Sequence, residues 1–212
     1  MDGILIVPTN QGHEFTQFLS SLQLPVVAIG NKLSPAIPFV GIQDREAMRA
    51  AVELVAQKGY RRIIYVSPPL SYRGKENIYE VEERFEGFRE AVKVQALESV
   101  VIREKHFADS LPDVVMKSHL RTAIMCSSDI YALQCLDSLG SWGMRVPEDV
   151  GLIGFDDIDV LKYVKPALTS ISYPVTEIVK QAFALLKRLM DGERGPMSPP
   201  LVETNIVFRE SL

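Results

Sequence analysis

Short runs rich in isoleucine and valine alternate with amphipathic stretches along almost the whole chain. The runs are Ile4–Val7, Val26–Ile29, Ile63–Val66, Ala123–Cys126 and Gly151–Phe155. None shows a clear in–out alternation of apolar and polar residues. That is the pattern of strands buried on both faces of a parallel sheet. Between them lie helical stripes. Ala47, Ala50, Ala51, Leu54 and Val55 form one, with Asp44 placed to cap its start and Gly59 to end it. Ala132, Leu133, Leu136 and Leu139 form a second, closed by Gly140 and Gly143. Ile178, Val179, Ala182, Phe183, Leu186 and Leu189 form a third, between Pro174 and Gly192. Strand–helix alternation of this kind predicts an α/β fold with doubly wound parallel sheets. Leu201–Phe208, after Pro199-Pro200, reads as a late strand.

With 212 residues, the chain is long enough for one large domain or two small lobes. No apolar run approaches the roughly 18 residues that span a bilayer. Met1–Val7 lacks a basic leader region, so a cytoplasmic protein is expected. Cys126 and Cys135, the two cysteines, read as buried free thiols of a reducing compartment. The formal net charge is −4, with 23 Lys and Arg interspersed among 27 Asp and Glu. Such a surface has no cluster to neutralise several phosphates, so direct DNA binding by these residues is not expected.

In open parallel sheets, ligands bind beyond the carboxyl ends of the strands. The residues at those positions are Pro8-Thr9-Asn10, Gly30-Asn31, Ser67, Ser127-Ser128-Asp129 and Asp156-Asp157. The loop after Ser67 contains Tyr72, Arg73 and Tyr79 and leads to Arg84. Hydroxyls, amides, carboxylates and one arginine suit a neutral polyhydroxylated ligand. Each residue also has a plainer reading. Asp44 and Asp129 stand where helix caps would, and Asp157 where a turn residue would. Arg84 is an i,i+4 neighbour of Glu80 and fits a solvated helix face. Phe107, Tyr131 and Trp142 could stack on a ligand ring or simply pack.

The sequence has no G-x-G-x-x-G after its first strand, no Walker-type phosphate loop and no G-x-S-x-G elbow. His13, His106 and His119 are scattered, and no His or Cys spacing suggests a metal. Asp156-Asp157 could form a carboxylate pair with Asp129, but adjacent strand residues point in opposite directions. A non-catalytic protein without cofactor or metal is therefore expected. A sugar-modifying enzyme using Asp129 and Asp156 is the alternative.

Arg145-Val-Pro-Glu-Asp-Val150 followed by Gly151-Leu-Ile-Gly-Phe-Asp-Asp157 resembles the signature of effector-binding domains in the lactose/galactose-repressor family of bacterial transcription regulators. Asp2–Pro8, Gly59–Ile64, Arg84-Phe-Glu-Gly-Phe88, Leu168-Thr-Ser-Ile171 after Pro166, and Phe208-Arg-Glu-Ser211 match in the same order, so the resemblance covers essentially the whole chain. It implies two α/β lobes of the periplasmic sugar-binding type, with a small molecule in the cleft. Residues 43–171 with 201–210 would form the second lobe, and 1–42 with 173–192 a partial first lobe. By that match Arg84 grips ligand hydroxyls and Asp156 accepts from them. Asp129 stands beside them, and Ser128 replaces the asparagine that relatives often carry. Thr9 and Asn10 lie on the opposite lobe, Phe107 stands where relatives place a stacking aromatic, and Tyr72 lies in the loop before Arg84. The helix-turn-helix headpiece of the family is absent from these residues, so operator DNA would be a partner of a longer protein. A homodimer is expected. A sugar-transport binding protein shares the fold and is the second alternative.

Overall fold

A computed structural model describes residues 2–8, 13–67, 79–104, 106–193, 199 and 201–212. The chain divides into two compact units, Met1–Asp44 with Leu70–Glu83 and Pro174–Glu203, and Arg45–Pro69 with Arg84–Tyr173 and Thr204–Leu212.

The smaller unit carries β1 (Ile4–Ile6), β2 (Val26–Ile29) and β3 (Phe39–Val40), all parallel and in that spatial order. Helices α1 (His13–Ser21) and α6 (Val175–Met190) belong to it. Leu19, Val26, Ala28 and Ile37 form a core to which Ile4, Ile6, Phe15, Leu22 and Leu33 add partly buried surface. From α6, Ile178, Ala182, Leu185 and Leu186 are buried, whereas Val179 and Phe183 are exposed. The sequence spacing places both on the buried stripe. They are i,i+4 neighbours that lie round from the face meeting β1–β3.

The larger unit is built on a sheet in the order β5 (Glu98–Ile102), β4 (Arg62–Val66), β6 (Thr122–Cys126), β7 (Gly151–Asp156), β8 (Thr169–Ser172) and β9 (Ile206–Val207). All neighbours are parallel except β8 and β9. Every residue of β4 and β6 is buried, as unalternating apolar runs require. Helices α2 (Asp44–Gln57), α3 (Tyr79–Val94), α4 (Leu111–Met116) and α5 (Asp129–Ser141) connect the strands. Ala132, Cys135 and Leu139 of α5 pack with Ile64, Val66, Ile124, Cys126 and Leu152 from the sheet. Tyr65 stacks on Phe88 of α3 at 4.6 Å between ring centroids. Helix α2 stops where expected, at Gly59, with φ of 86°.

The boundaries differ from those read in the sequence. Residues 43–44, 70–83 and 201–203 group with the smaller unit. Local contacts explain part of this. Tyr79 meets Phe39 edge-on at 5.6 Å, the Glu80 amide donates to Asn31 Oδ1 at 3.3 Å, and Val202 pairs with Ile42.

Gly87, inside the Arg84–Phe88 motif, has a packing reason. A Cβ there would lie 2.3 Å from the backbone carbonyl oxygen of Arg45, so α3 can cross the start of α2 only at a residue without a side chain. Gly87→Ala is expected to lower stability by about 1–3 kcal/mol, because the obstacle is backbone. Urea denaturation of the variant beside the parent chain measures this.

Candidate functional site

The polar tips of the larger unit converge on one arginine. Helix α3 presents Arg84, which is 4% exposed. Its guanidinium carbon lies 3.6 Å from the centroid of the Phe155 ring. Nη1 donates to the Ser127 carbonyl at 2.8 Å and makes a longer contact, 3.5 Å, with Asp156 Oδ1. A buried guanidinium is tolerated only with such partners. Arg84 therefore does not occupy the solvated helix face that its spacing from Glu80 allowed. The Asp156 side chain is 33% exposed and presents a carboxylate to solvent beside that cation.

Asp156 and Asp157 have φ of 111° and 53°, consecutive positive values at residues other than glycine. Such conformations cost about 1–3 kcal/mol each and persist where the surroundings over-determine them. Here they do. The Asp157 amide donates to Ser170 Oγ at 3.2 Å, and Ser170 Oγ donates to Asp129 Oδ1 at 2.6 Å. The Ile158 amide donates to Asp129 Oδ2 at 2.9 Å. The Tyr173 amide donates to the Asp156 carbonyl at 3.3 Å, and Arg209 Nη2 donates to Asp157 Oδ1 at 2.7 Å. The two aspartates thus face different cations, Arg84 and Arg209.

The other expected site residues separate on inspection. Asp129 is fully buried, and both its oxygens are engaged by Ser170 and Ile158. It sits one residue past the N-cap and ties the turn after β7 to α5. Gly154 makes room for it, since a Cβ there would stand 2.0 Å from Asp129 Oδ1. Ser128 is half-buried at the N-cap position of α5 in extended backbone, without a side-chain cap bond. Phe107, expected to stack on a ligand, is 1% exposed within the core cluster of Leu111 and Val115, 5.8 Å from the Tyr131 ring. Packing claims its faces. Thr9, Asn10 and Tyr72 lie outside the described residues. Reading strand tips alone missed Ser170 and Arg209. The signal for Arg209 was its place in the terminal Phe-Arg-Glu-Ser motif. Among the described residues, no group of His, Cys, Asp or Glu could hold a metal ion, and no helix is long and apolar enough to cross a membrane.

Residues 52–212 match the family model of the periplasmic binding protein-like domain. The chain belongs to that family. The curated relatives are transcription regulators. The HTH-type transcriptional regulator CelR of Thermobifida fusca is 28% identical over 231 residues, covering 100% of this chain and 63% of that protein. The chain spans less than two thirds of the length of the curated relatives it matches. Among solved structures, the CelR–cellobiose complex is 27% identical with a TM-score of 0.84, covering 100% of this chain and 66% of that one. A LacI-family regulator of Enterococcus faecalis V583 with bound ribose is 20% identical with a TM-score of 0.84, covering 100% and 77%. The resemblance carried by the Arg145–Asp157 signature thus extends to the fold and to the lactose/galactose-repressor relatives.

Burial raises the Asp129 carboxyl from 3.8 to about 6, and the charges of Asp156 and Asp157 add to the shift against the bonds from Ser170 and Ile158. The folded chain therefore binds this proton more tightly than the unfolded chain. Stability falls as pH rises from about 4 to 6, and the penalty is fully present above that range. Acidification from pH 7 to 5 is expected to recover part of roughly 2–3 kcal/mol. Asp129→Asn should flatten that segment of the profile, measured as denaturation midpoints at fixed pH steps.

Proposed function

We propose that this chain is the effector-sensing part of an HTH-type transcription regulator and that it binds a small polyhydroxylated solute, a sugar, without transforming it. The observation that carries this reading is the buried Arg84 guanidinium set against the half-open Asp156 carboxylate at the end of β7. A carboxylate accepts from two vicinal hydroxyls, while a guanidinium donates a planar fork to others. Cellobiose and ribose occupy the two solved relatives described above, which supports a sugar over a nucleotide. Ser128, Thr9, Asn10 and Tyr72 are proposed as further contacts. The full burial of Asp129 argues against its serving as the second carboxylate of a hydrolytic pair. The regulatory relatives favour this reading over a transport binding protein, which would share the fold.

In this reading, ligand binding favours one of two conformations of a longer cytoplasmic protein, and a part beyond these 212 residues contacts operator DNA. Differential affinity for the two states is what moves such an equilibrium, with couplings of about 1–3 kcal/mol. The net charge of −4 fits a segment that leaves DNA contact to another part of the protein.

Asp156→Asn removes the charge while keeping the shape. It is expected to weaken sugar binding about tenfold or more, the loss typical of a hydrogen bond to a charged group. Titration calorimetry over a panel of mono- and disaccharides would measure it. Full affinity in the variant for a sugar bound by the parent would remove Asp156 from the site.

We also infer a homodimer through the outer face of α5. Ile130 on α5, Trp142 just past it, and Val160 and Tyr163 in the turn after β7 are exposed, and Leu133, Leu136, Asp137, Gly140 and Ser141 line a groove with Val164 and Lys165. An apolar patch with one acid and one base suits a two-fold contact in which each copy offers the same surface. Ile130→Asp with Tyr163→Glu is expected to yield monomers in sedimentation velocity, with unchanged helix content by circular dichroism.

A further inference from the structure

One hydroxyl at the carboxyl edge of the larger sheet is unused by the arrangement described so far. Ser127 follows β6 and is 2% exposed, and its Oγ has no hydrogen-bond partner among the described residues. Three other serines buried in the same unit are engaged through their hydroxyls. Ser170 Oγ donates to Asp129, Ser138 Oγ to the Ala108 carbonyl, and Ser211 Oγ to the Leu152 carbonyl. A buried hydroxyl left unpaired loses its hydration without return, so it calls for an explanation.

Its position supplies one. From β4 the chain runs through α3 to β5 on one side, and then returns to β6 on the other side of β4. The strand order reverses there, and the Ser127 amide donates to the Val66 carbonyl, 2.9 Å away, across that reversal. In open sheets the crevice beyond such a reversal is where ligands bind. Side chains alternate along a strand. Ile124 and Cys126 point into the cluster under α5, so Ser127 continues the opposite face, with Met125. That is the side from which Arg84 reaches over Phe155 to the Ser127 carbonyl.

We propose that Ser127 Oγ is an additional ligand contact, donating to a hydroxyl or ring oxygen of the sugar that Arg84 and Asp156 hold. This rests on the sugar reading above and adds a determinant of selectivity to it. A site with a buried polar group left unpaired rejects analogues that lack the matching oxygen. Because the hydroxyl has almost no exposed surface, the contact forms only as groups at the tip shift around the bound ligand. It belongs to the bound state and not to the encounter.

The test uses Ser127→Ala in the whole 212-residue chain, with Ser127→Cys as a variant of similar shape. Thermal melts are recorded without ligand. Calorimetry follows with D-ribose, cellobiose and a panel of other mono- and disaccharides with their monodeoxy analogues. Without ligand, Ser127→Ala should melt at or above the parent temperature, since an unpaired polar group has been removed. Its affinity for the sugar bound by the parent should fall five- to tenfold, and the parent's preference for that sugar over one of its monodeoxy analogues should disappear. The cysteine variant should behave like the alanine one. A lower ligand-free melting temperature in both variants would mean that the hydroxyl is satisfied within the protein, which overturns the proposal. So would unchanged affinity and unchanged deoxy discrimination in variants of a sugar-binding parent. A parent that binds no sugar in the panel defeats the sugar reading itself, and the contact falls with it.

Discussion

The carboxylate of Asp129 has no exposed surface, and three segments of the larger unit are fastened to it. Helix α5 supplies it, Ser170 on β8 donates to one oxygen, and the Ile158 amide after β7 donates to the other. Gly154 passes so close that any side chain there would collide with it. A buried negative charge with two donors and two further aspartates close by in space is costly, which is why burial raises its proton affinity. The structure retains it because the turn carrying Asp156 and Asp157 has to be held in backbone conformations that neither residue favours alone. Without that anchor, nothing would keep the Asp156 carboxylate turned toward Arg84 while its neighbour faces Arg209. The strain is local, and its compensation comes from buried groups on α5 and β8, Asp129 and Ser170.

Much of the sheet was legible because buried parallel strands are unbroken apolar runs, and β1, β2, β4, β6 and β7 all begin within a residue of where those runs begin. The strands that escaped notice depart from that pattern for physical reasons. β5 lies at the sheet edge and is largely exposed, so Glu98-Ser99 opens it without penalty. β8 begins with Thr169-Ser170, polar yet fully buried, because the Arg209 amide, the Asp157 amide and Asp129 engage their hydroxyls. β3 has two residues and pairs only through its neighbour β2. Helices α1 and α4 are short, and α4 carries a proline at its first turn, where the missing amide costs nothing.

The candidate site was legible at its centre and not at its margins. Asp156 could be named because the tips of parallel strands collect polar residues, and Arg84 because its motif resembles the family's, and the two do meet. Asp129 looked equivalent by its position after β6, yet one residue of offset put it on the first turn of a helix facing inward. Phe107 looked like a stacking ring, but an aromatic among leucines and valines gains more from burial than from waiting for a ligand. Arg209 and Ser170 act through partners far away in sequence, 52 residues in the first case and 41 in the second, and no local pattern reports such a distance.

Cys126 and Cys135 face each other at 3.7 Å between sulfurs, without exposed surface, and burial holds the Cys126 thiol well above its ordinary range. Two such thiols are poor nucleophiles toward any reagent dissolved in water while β6 and α5 stay together. An alkylating dye added to the native chain would therefore label it only as fast as that strand and helix come apart. Because Cys126 immediately precedes the residue whose carbonyl Arg84 holds, the labelling rate is a built-in clock for the parting of β6 and α5, obtained without introducing any foreign group.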